Sequence, residues 1–341
     1  MITMEEFGSD FHFISGFGGD NAFFQHYADA RYYASGRQAL IALYKQEHWK
    51  RIWMPDYFCY EVIDSFLKSG MNIVFYQDNP LIFKDDFSDL DFHDGDALMR
   101  VNYFGIKAKR SGKGISVPVV EDHTHNLIGQ WALQSDADWC FGSLRKTLPM
   151  ALGGMLWSPK GLQMPSDAPL TEECSKIASE RYEAMRMKAD YLKEGGNKES
   201  FREKYVRTEE LIDTLPISGI DSESYSIIGD FNVKLWTETK AENWHIVSEC
   251  LENRFQILPY EDKTGVSPFS VVMLLDNQEE REKFRHYLIQ NAIYPAILWR
   301  VPDDASSVSV DFSNRMLSIH CDARYSRKDI ERMSEIINQY D

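Results

Sequence analysis

Val119-Val120-Glu121-Asp122-His123-Thr124-His125, followed by Asp138-Trp139-Cys140-Phe141-Gly142-Ser143-Leu144-Arg145-Lys146 and the pair Gly153-Gly154, decides how this chain folds. Each long segment is a short apolar run that stops abruptly in polar residues. Runs of this length, set between amphipathic stretches, are the mark of strands buried on both faces. The pattern continues upstream. Arg51 to Met54 reads as a strand ending at Pro55, Asn72 to Tyr76 as the next, and Ala97 to Tyr103 and Ser116 to Glu121 as two more. Gln38 to Lys45 reads as a helix. Tyr60 to Lys68 is helical by the spacing of Val62, Ile63, Phe66 and Leu67, and Gly70 closes it. Alternation of this kind from Ser35 to Lys160 predicts an α/β fold, a three-layer, mostly parallel sheet covered by helices on both faces. Ligands of such sheets bind beyond the carboxyl ends of the strands, and Asp122 and Ser143 each stand at or just past the end of a run.

Further along, Thr171 to Leu215 is charged and helical in character, broken at Glu194-Gly195-Gly196-Asn197. After Pro216 the pattern changes. Phe269 to Leu275 reads as a strand, Asn277 to Gln290 as a helix, Asn314 to His320 as a strand and Ser326 to Gln339 as a terminal helix. The expected division is a large domain over 1–215, with an N-terminal lead-in and connecting helices, and a smaller α+β domain over 216–341. The lead-in is rich in Phe, Gly and Asp, with turns expected around Gly16 to Asp20. Gly16-Phe17-Gly18 lacks the third glycine of a dinucleotide loop, and no clear strand precedes it.

The composition narrows the function. The 341 residues are 43% hydrophobic and 26% charged, with 37 Lys plus Arg against 53 Asp plus Glu and a formal charge of −16. That argues against a nucleic-acid surface, which needs basic side chains to displace counterions. A small anionic ligand is still allowed, because a site can be locally positive. The five cysteines, Cys59, Cys140, Cys174, Cys250 and Cys321, are scattered without a CxxC pair. They read as reduced thiols in a cytoplasmic protein. The start, Met1 to Phe7, is acidic and does not read as a signal peptide, and no apolar run is long enough to span a bilayer.

Asp122, Ser143 and Lys146 form a set with one chemical use. An acid at a strand end, a lysine about two dozen residues later, a serine three positions before that lysine and a glycine pair beyond it suit pyridoxal phosphate (PLP). This cofactor has a ring nitrogen that wants a carboxylate, an aldehyde that wants a lysine, and a phosphate that wants hydroxyls and backbone N–H groups. Lys146 lies between two apolar stretches, an unusual place for a solvated lysine. Ser143 stands three positions before it and shares its side of a turn; it also reads as a helix N-cap, and the two roles are compatible. Asp122 alone reads equally as a turn aspartate. His123 and His125 are two apart, so on an extended strand they share a face. No third ligand of fitting spacing follows, and no metal is expected. His123 reads as a core residue, and His125 as a partner for the cofactor's 3-hydroxyl. Ser35-Gly36-Arg37 opens a helix suited to an anion, and Tyr57 or Phe58 reads either as an aromatic that stacks on the ring or, more commonly for such a position, as a core or interface residue.

Taken together these segments resemble fold-type-I PLP enzymes, and within them the DegT/DnrJ/StrS-type aminotransferases that act largely on nucleotide-linked keto sugars. Ser35-Gly36-Arg37-Gln38-Ala39-Leu40 is similar to that family's phosphate loop. Met54-Pro55-Asp56-Tyr57-Phe58 is similar to its Pro-aromatic segment, and Val101-Asn102-Tyr103-Phe104-Gly105 to its strand ending in Gly. Glu121-Asp122-His123-Thr124-His125 resembles EDxAQ, with His125 where the family has Gln. Ser143-Leu144-Arg145-Lys146 with Gly153-Gly154 resembles the serine–lysine–GG segment. The resemblance implies that Lys146 forms the aldimine with the cofactor and that Asp122 meets the pyridine nitrogen. It also implies a small-molecule amino donor, a keto acceptor and a homodimer. Asn102 and an arginine of the small domain, Arg324 or Arg300, are candidates for the substrate; the reading weighed above this for Arg324 is a surface residue paired with Asp322. Rival readings are decarboxylation, elimination or dehydration on the same cofactor, or a regulatory protein that keeps the fold without turnover.

Overall fold

The computed structural model describes residues 6–15, 18–19, 22–84, 86–212, 214–260 and 268–340. The turn expected around Gly16 to Asp20 lies mostly outside the described residues. In chain order the strands are β1 (Phe7–Gly8), β2 (Arg31–Tyr33), β3 (Arg51–Pro55), β4 (Ile73–Tyr76), β5 (Asp96–Val101), β6 (Val119–Asp122), β7 (Trp139–Ser143), β8 (Gly154–Trp157), β9 (Gln256–Ile257), β10 (Val271–Leu274), β11 (Ile293–Tyr294) and β12 (Met316–Ile319). Seven of them form one sheet in the order β2-β8-β7-β6-β5-β3-β4. β4, β3, β5, β6 and β7 run parallel, and β8 runs antiparallel to both of its neighbours.

Alternate residues of these strands enter different cores. Ile52, Met54, Met99, Val120 and Phe141 pack with Leu40 and Leu43 of the helix Gly36–Glu47 and with Ile63 and Phe66 of the helix Tyr60–Lys68. Val119, Cys140, Met155 and Trp157 face the other way, onto Ala132, Ile228, Phe231 and Trp236. Both faces of the central strands are therefore covered, which is why they read as unbroken apolar runs. Strand bounds differ from the sequence reading by a residue or two at most ends. The largest difference is at Ser116, three residues before β6 begins at Val119, while the run from Ala97 ends as a strand at Val101 and Tyr103–Gly105 form a 3₁₀ turn.

Glu172–Glu194 and Glu199–Ile212 are the two charged helices expected there. The C-terminal part holds a three-stranded antiparallel sheet, β12-β10-β9. It packs on the helices Gln278–Gln290 and Arg327–Asn338, each opened by a polar cap, Asn277 or Ser326. In the part after Pro216, three helices were not anticipated among the described residues: Ser222–Asp230, Val233–Cys250 and Ser307–Arg315. The last replaces the front of the strand expected from Asn314. The lead-in is also more integrated than a free segment, because β1 pairs in parallel with β11, and Phe7 sits in the C-terminal core beside Phe284 and Ile330.

Candidate active site

β7, β6, β5 and β3 are neighbours in the sheet and run parallel, so their carboxyl ends open at one edge. A cavity of about 500 Å³ lies there. Ser35, Gly36, Arg37, Phe58, Asn102, Asp122, His125, Ser143, Lys146 and Arg324 all line it, drawn from positions as much as 289 residues apart in the chain.

One end of the cavity is built by glycine. The helix Gly36–Glu47 starts against β7 and β8. Its N-cap Ser35 accepts the Gln38 N–H at 3.3 Å through Oγ. A Cβ on Gly154 would stand 2.1 Å from the carbonyl of Ser35, and one on Gly36 would stand 3.0 Å from Ser143 N. Only glycines let this helix start approach the strand ends so closely, which gives the Gly153-Gly154 pair a physical reason. Ser143 leads into the 3₁₀ turn Leu144–Lys146 but makes no capping bond with its side chain, so its hydroxyl stays available to the cavity. In such a turn positions three apart eclipse, and Ser143 and Lys146 share the cavity wall. Lys146 is exposed to that cavity and, among the described residues, makes no hydrogen bond or ion pair.

Asp122 ends β6. Its Oδ1 accepts the Thr124 N–H at 2.8 Å, and the Thr124 hydroxyl accepts the Ser143 N–H at 3.0 Å. Burial pushes the Asp122 carboxyl above the ordinary aspartate value, opposed by Thr124 and the charge of His123. Asn102 donates toward His123 Nδ1 at 3.3 Å, and its buried Oδ1 has no partner.

The two histidines do not share a face. The strand ends at Asp122, so the chain turns between them. His123 points into the core, where it meets Glu121 at 3.0 Å. Glu121 is also held by Arg100 and by the Ser135 hydroxyl, and Cys140 Sγ lies 3.7 Å away. Burial would raise Glu121, but His123, Arg100 and Ser135 outweigh it and hold the carboxyl near 2. Glu121, His123 and Cys140 are, among the described residues, the one group with metal-ligand atoms within 4.8 Å of each other. The Arg100 guanidinium already serves as the counter-ion there. His125 turns toward the cavity, where its ring stacks on Phe269 at 4.6 Å, Trp299 at 5.3 Å and Phe104 at 5.5 Å. Its Nδ1 accepts the Phe104 N–H at 3.1 Å. Burial pushes the imidazole down to about 3, and Lys146 and Lys240 add to the shift.

Three sequence candidates do not offer a free side chain to the cavity. Tyr57 is fully buried behind the cavity; its hydroxyl donates to Leu298 O at 2.6 Å and accepts the Trp299 N–H at 3.0 Å, so Phe58, not Tyr57, faces the opening. Arg300 is exposed and outside the lining. Arg324 lines the cavity but pairs through Nε and Nη2 with both oxygens of Asp322, at 2.7 and 2.9 Å, and its side chain is only 2% exposed. It is paired as the alternative reading had it, but in the interior. Arg145 is engaged as well, by Glu209, which Arg181 also holds at 2.8 Å. Thr124, Trp299, Phe269 and Lys240 are cavity residues that the sequence reading did not single out. Trp299 ends the apolar run Ala296-Ile297-Leu298, and that run was the available signal.

The architecture is shared with solved proteins. The protein Spr1654 from Streptococcus pneumoniae, in a PLP-form, has a TM-score of 0.60 to this chain at 12% identity, over 95% of this chain and 92% of that one. A DegT DnrJ EryC1 StrS aminotransferase from Brucella abortus has a TM-score of 0.61 at 13% identity, over 91% and 85%. DesI, solved in the presence of its TDP-sugar product, has a TM-score of 0.62 at 12% identity, over 91% and 79%. No family model and no curated protein matches the chain. The chain thus has the fold of this group of aminotransferases, and it reaches that fold with a sequence far from theirs. Among the described residues no helix is long and apolar enough to cross a membrane.

Proposed function

We propose that this chain is a PLP-dependent aminotransferase, a divergent relative of the DegT/DnrJ/StrS type. It would move an amino group from a small-molecule donor to a keto acceptor of the nucleotide-linked keto-sugar class. The observation that carries the reading is the convergence of Lys146, Asp122, Ser143 and the start of the helix Gly36–Glu47 on one cavity at the strand ends. The residues fit the cofactor on their own chemistry. Among the described residues there is a lysine without a partner, a buried carboxylate met by the N–H and hydroxyl of Thr124 with no cation in contact, a hydroxyl without a partner and a helix start pressed close by glycines. When bound, PLP supplies an aldehyde that captures amines and a ring that accepts the electrons of the bond broken beside the nitrogen.

The protein's own groups would do the rest. Lys146 is the amine that would hold the cofactor's aldehyde, and its Nζ would accept and return the proton that the transfer moves. Asp122 keeps a proton on the ring nitrogen; a cation there would also relieve the burial that raises its carboxyl. The Ser143 hydroxyl and the N–H groups of the helix start hold the phosphate. The stack of His125, Phe269 and Trp299 gives the cavity a flat, dry wall. The keto-sugar class is supported by DesI and its TDP-sugar product and by a cavity volume in the range of sites for mid-sized ligands. We assign the working unit as a cytoplasmic homodimer, twofold dimers being the commonest oligomers.

Borohydride reduction of the protein reconstituted with PLP should fix the cofactor on the peptide that contains Lys146. Label on another lysine, or no uptake of PLP, would overturn the reading. Amino transfer from glutamate to a panel of keto sugars and keto acids separates transamination from decarboxylation or elimination, and light scattering tests the dimer.

A further inference from the structure

Lys240 is a second lysine of the cavity wall. It stands on the inner face of the helix Val233–Cys250 and is 6% exposed. The rotation of that helix is fixed on either side of it. Trp236 Nε1 donates to Thr147 O at 2.9 Å, and Asn243 Nδ2 donates to Asp322 O at 3.1 Å and Tyr325 O at 3.0 Å. Lys240 Nζ lies 5.1 Å from the centre of the Phe269 ring, which stacks on His125. Among the described residues it has no hydrogen bond and no ion pair. The acid that acts on it through space, Asp322, already gives both oxygens to Arg324. Lys188 shows how this protein treats a buried ammonium elsewhere: it is 1% exposed, 3.2 Å from Glu6 and 2.7 Å from Asp10 O.

A buried ammonium without a counter-charge is costly. Lys240 lines a cavity, and a ligand's anionic group placed there would supply what the protein does not. The surroundings select the kind of anion. One ammonium beside an aromatic platform matches a single negative charge; a phosphate ester, with about two charges and three acceptor oxygens, needs several donors. The arginine that the sequence marked for a carboxylate, Arg324, has spent its planar fork on Asp322. We propose that Lys240 recognises the carboxylate of the amino donor, so that the donor enters between Lys146 and the helix Val233–Cys250. This rests on the aminotransferase reading and adds to it the residue that selects amino acids over simple amines.

Glutarate, an unreactive dicarboxylate, is titrated calorimetrically into the purified protein and its Lys240→Gln, Lys240→Met and Lys240→Arg variants. Loss of a charge-assisted hydrogen bond should weaken glutarate by about ten- to a hundred-fold in the Gln and Met variants. The Arg variant should recover much of the affinity. In the unmutated protein, glutarate activated with a water-soluble carbodiimide should form an amide on the peptide holding Lys240, which gives a result even where a variant does not fold. Folded Gln and Met variants that bind glutarate as the wild type does would overturn the proposal, as would amide formation on surface lysines alone. Borohydride labelling of Lys146 in the same samples keeps the two readings apart. Absence of that label sinks the cofactor assignment, while unchanged glutarate affinity with the label intact sinks only Lys240.

Discussion

Asp122 and Asp322 are both buried carboxylates on the wall of one cavity, and their surroundings push them in opposite directions. Asp322 meets the Arg324 fork and is held far below the ordinary aspartate value despite its burial. Asp122 meets the N–H and hydroxyl of Thr124, and burial wins. An acid whose charge is already matched by a cation is part of the architecture. An acid given dipoles but no cation in contact is prepared for a cation that comes from elsewhere. The same distinction separates Lys188, tied to Glu6, from Lys146 and Lys240.

This contrast can be broken by experiment. The largest effect expected is on stability, from Asp322→Asn. It leaves the Arg324 guanidinium buried without its partner, so unfolding in urea should show a loss of about 3–5 kcal/mol. Asp122→Asn should do the reverse: stability held or slightly raised, with turnover lowered about 100- to 1,000-fold, the scale for removing one electrostatic stabiliser from a site. If both variants lose stability alike, the distinction between the two acids is wrong.

A third effect concerns acid. The His125 imidazole is held near 3, below its unfolded value of 6.5. As pH falls through 6.5 the unfolded chain gains a proton that the folded chain refuses, so stability falls with pH until the folded value is reached. Between pH 6.5 and 4 this one group should cost about 3 kcal/mol. His125→Gln should flatten that part of the urea-midpoint profile, and an unchanged slope would mean that His125 is not the group responsible. The smallest effect is expected from Ser143→Ala. Since that hydroxyl caps nothing, stability should move by less than about 0.5 kcal/mol, while PLP affinity, measured by titration, should fall by about ten-fold.

The legibility of the chain differs between its halves for a physical reason. From Ser35 to Gly154, strands buried on both faces are written as apolar runs, and their polar ends are the site. At the borders of that stretch two strands were not read: β8, which starts within the glycine pair, and β2, which is only three residues long. After Pro216 the helix Val233–Cys250 hid itself. Its inner face carries Thr237, Lys240 and Asn243 beside Val233, Trp236, Ile246 and Val247, so the apolar stripe that marks a packed helix is interrupted. Those interruptions are where the helix meets the cavity and the Asp322 segment. Trp299 and Phe269 reach the site through tertiary packing from well over a hundred residues beyond His125, a distance that no local pattern encodes.

The pairing of β1 with β11 joins Phe7 and Gly8 to Ile293 and Tyr294. At Gly8 the backbone takes a positive φ of 90°, a Cβ would lie 2.4 Å from Tyr294 O, and the amide donates to the Tyr325 hydroxyl at 2.7 Å. On the ribosome, therefore, the first strand made must wait for nearly the whole chain before it finds its partner. The sheet that ends at β8 has all its strands long before then. Synthesis would leave β1 and the C-terminal core mutually unfinished until β11 emerges, so a premature stop between β8 and β11 leaves Phe7 without its partner strand.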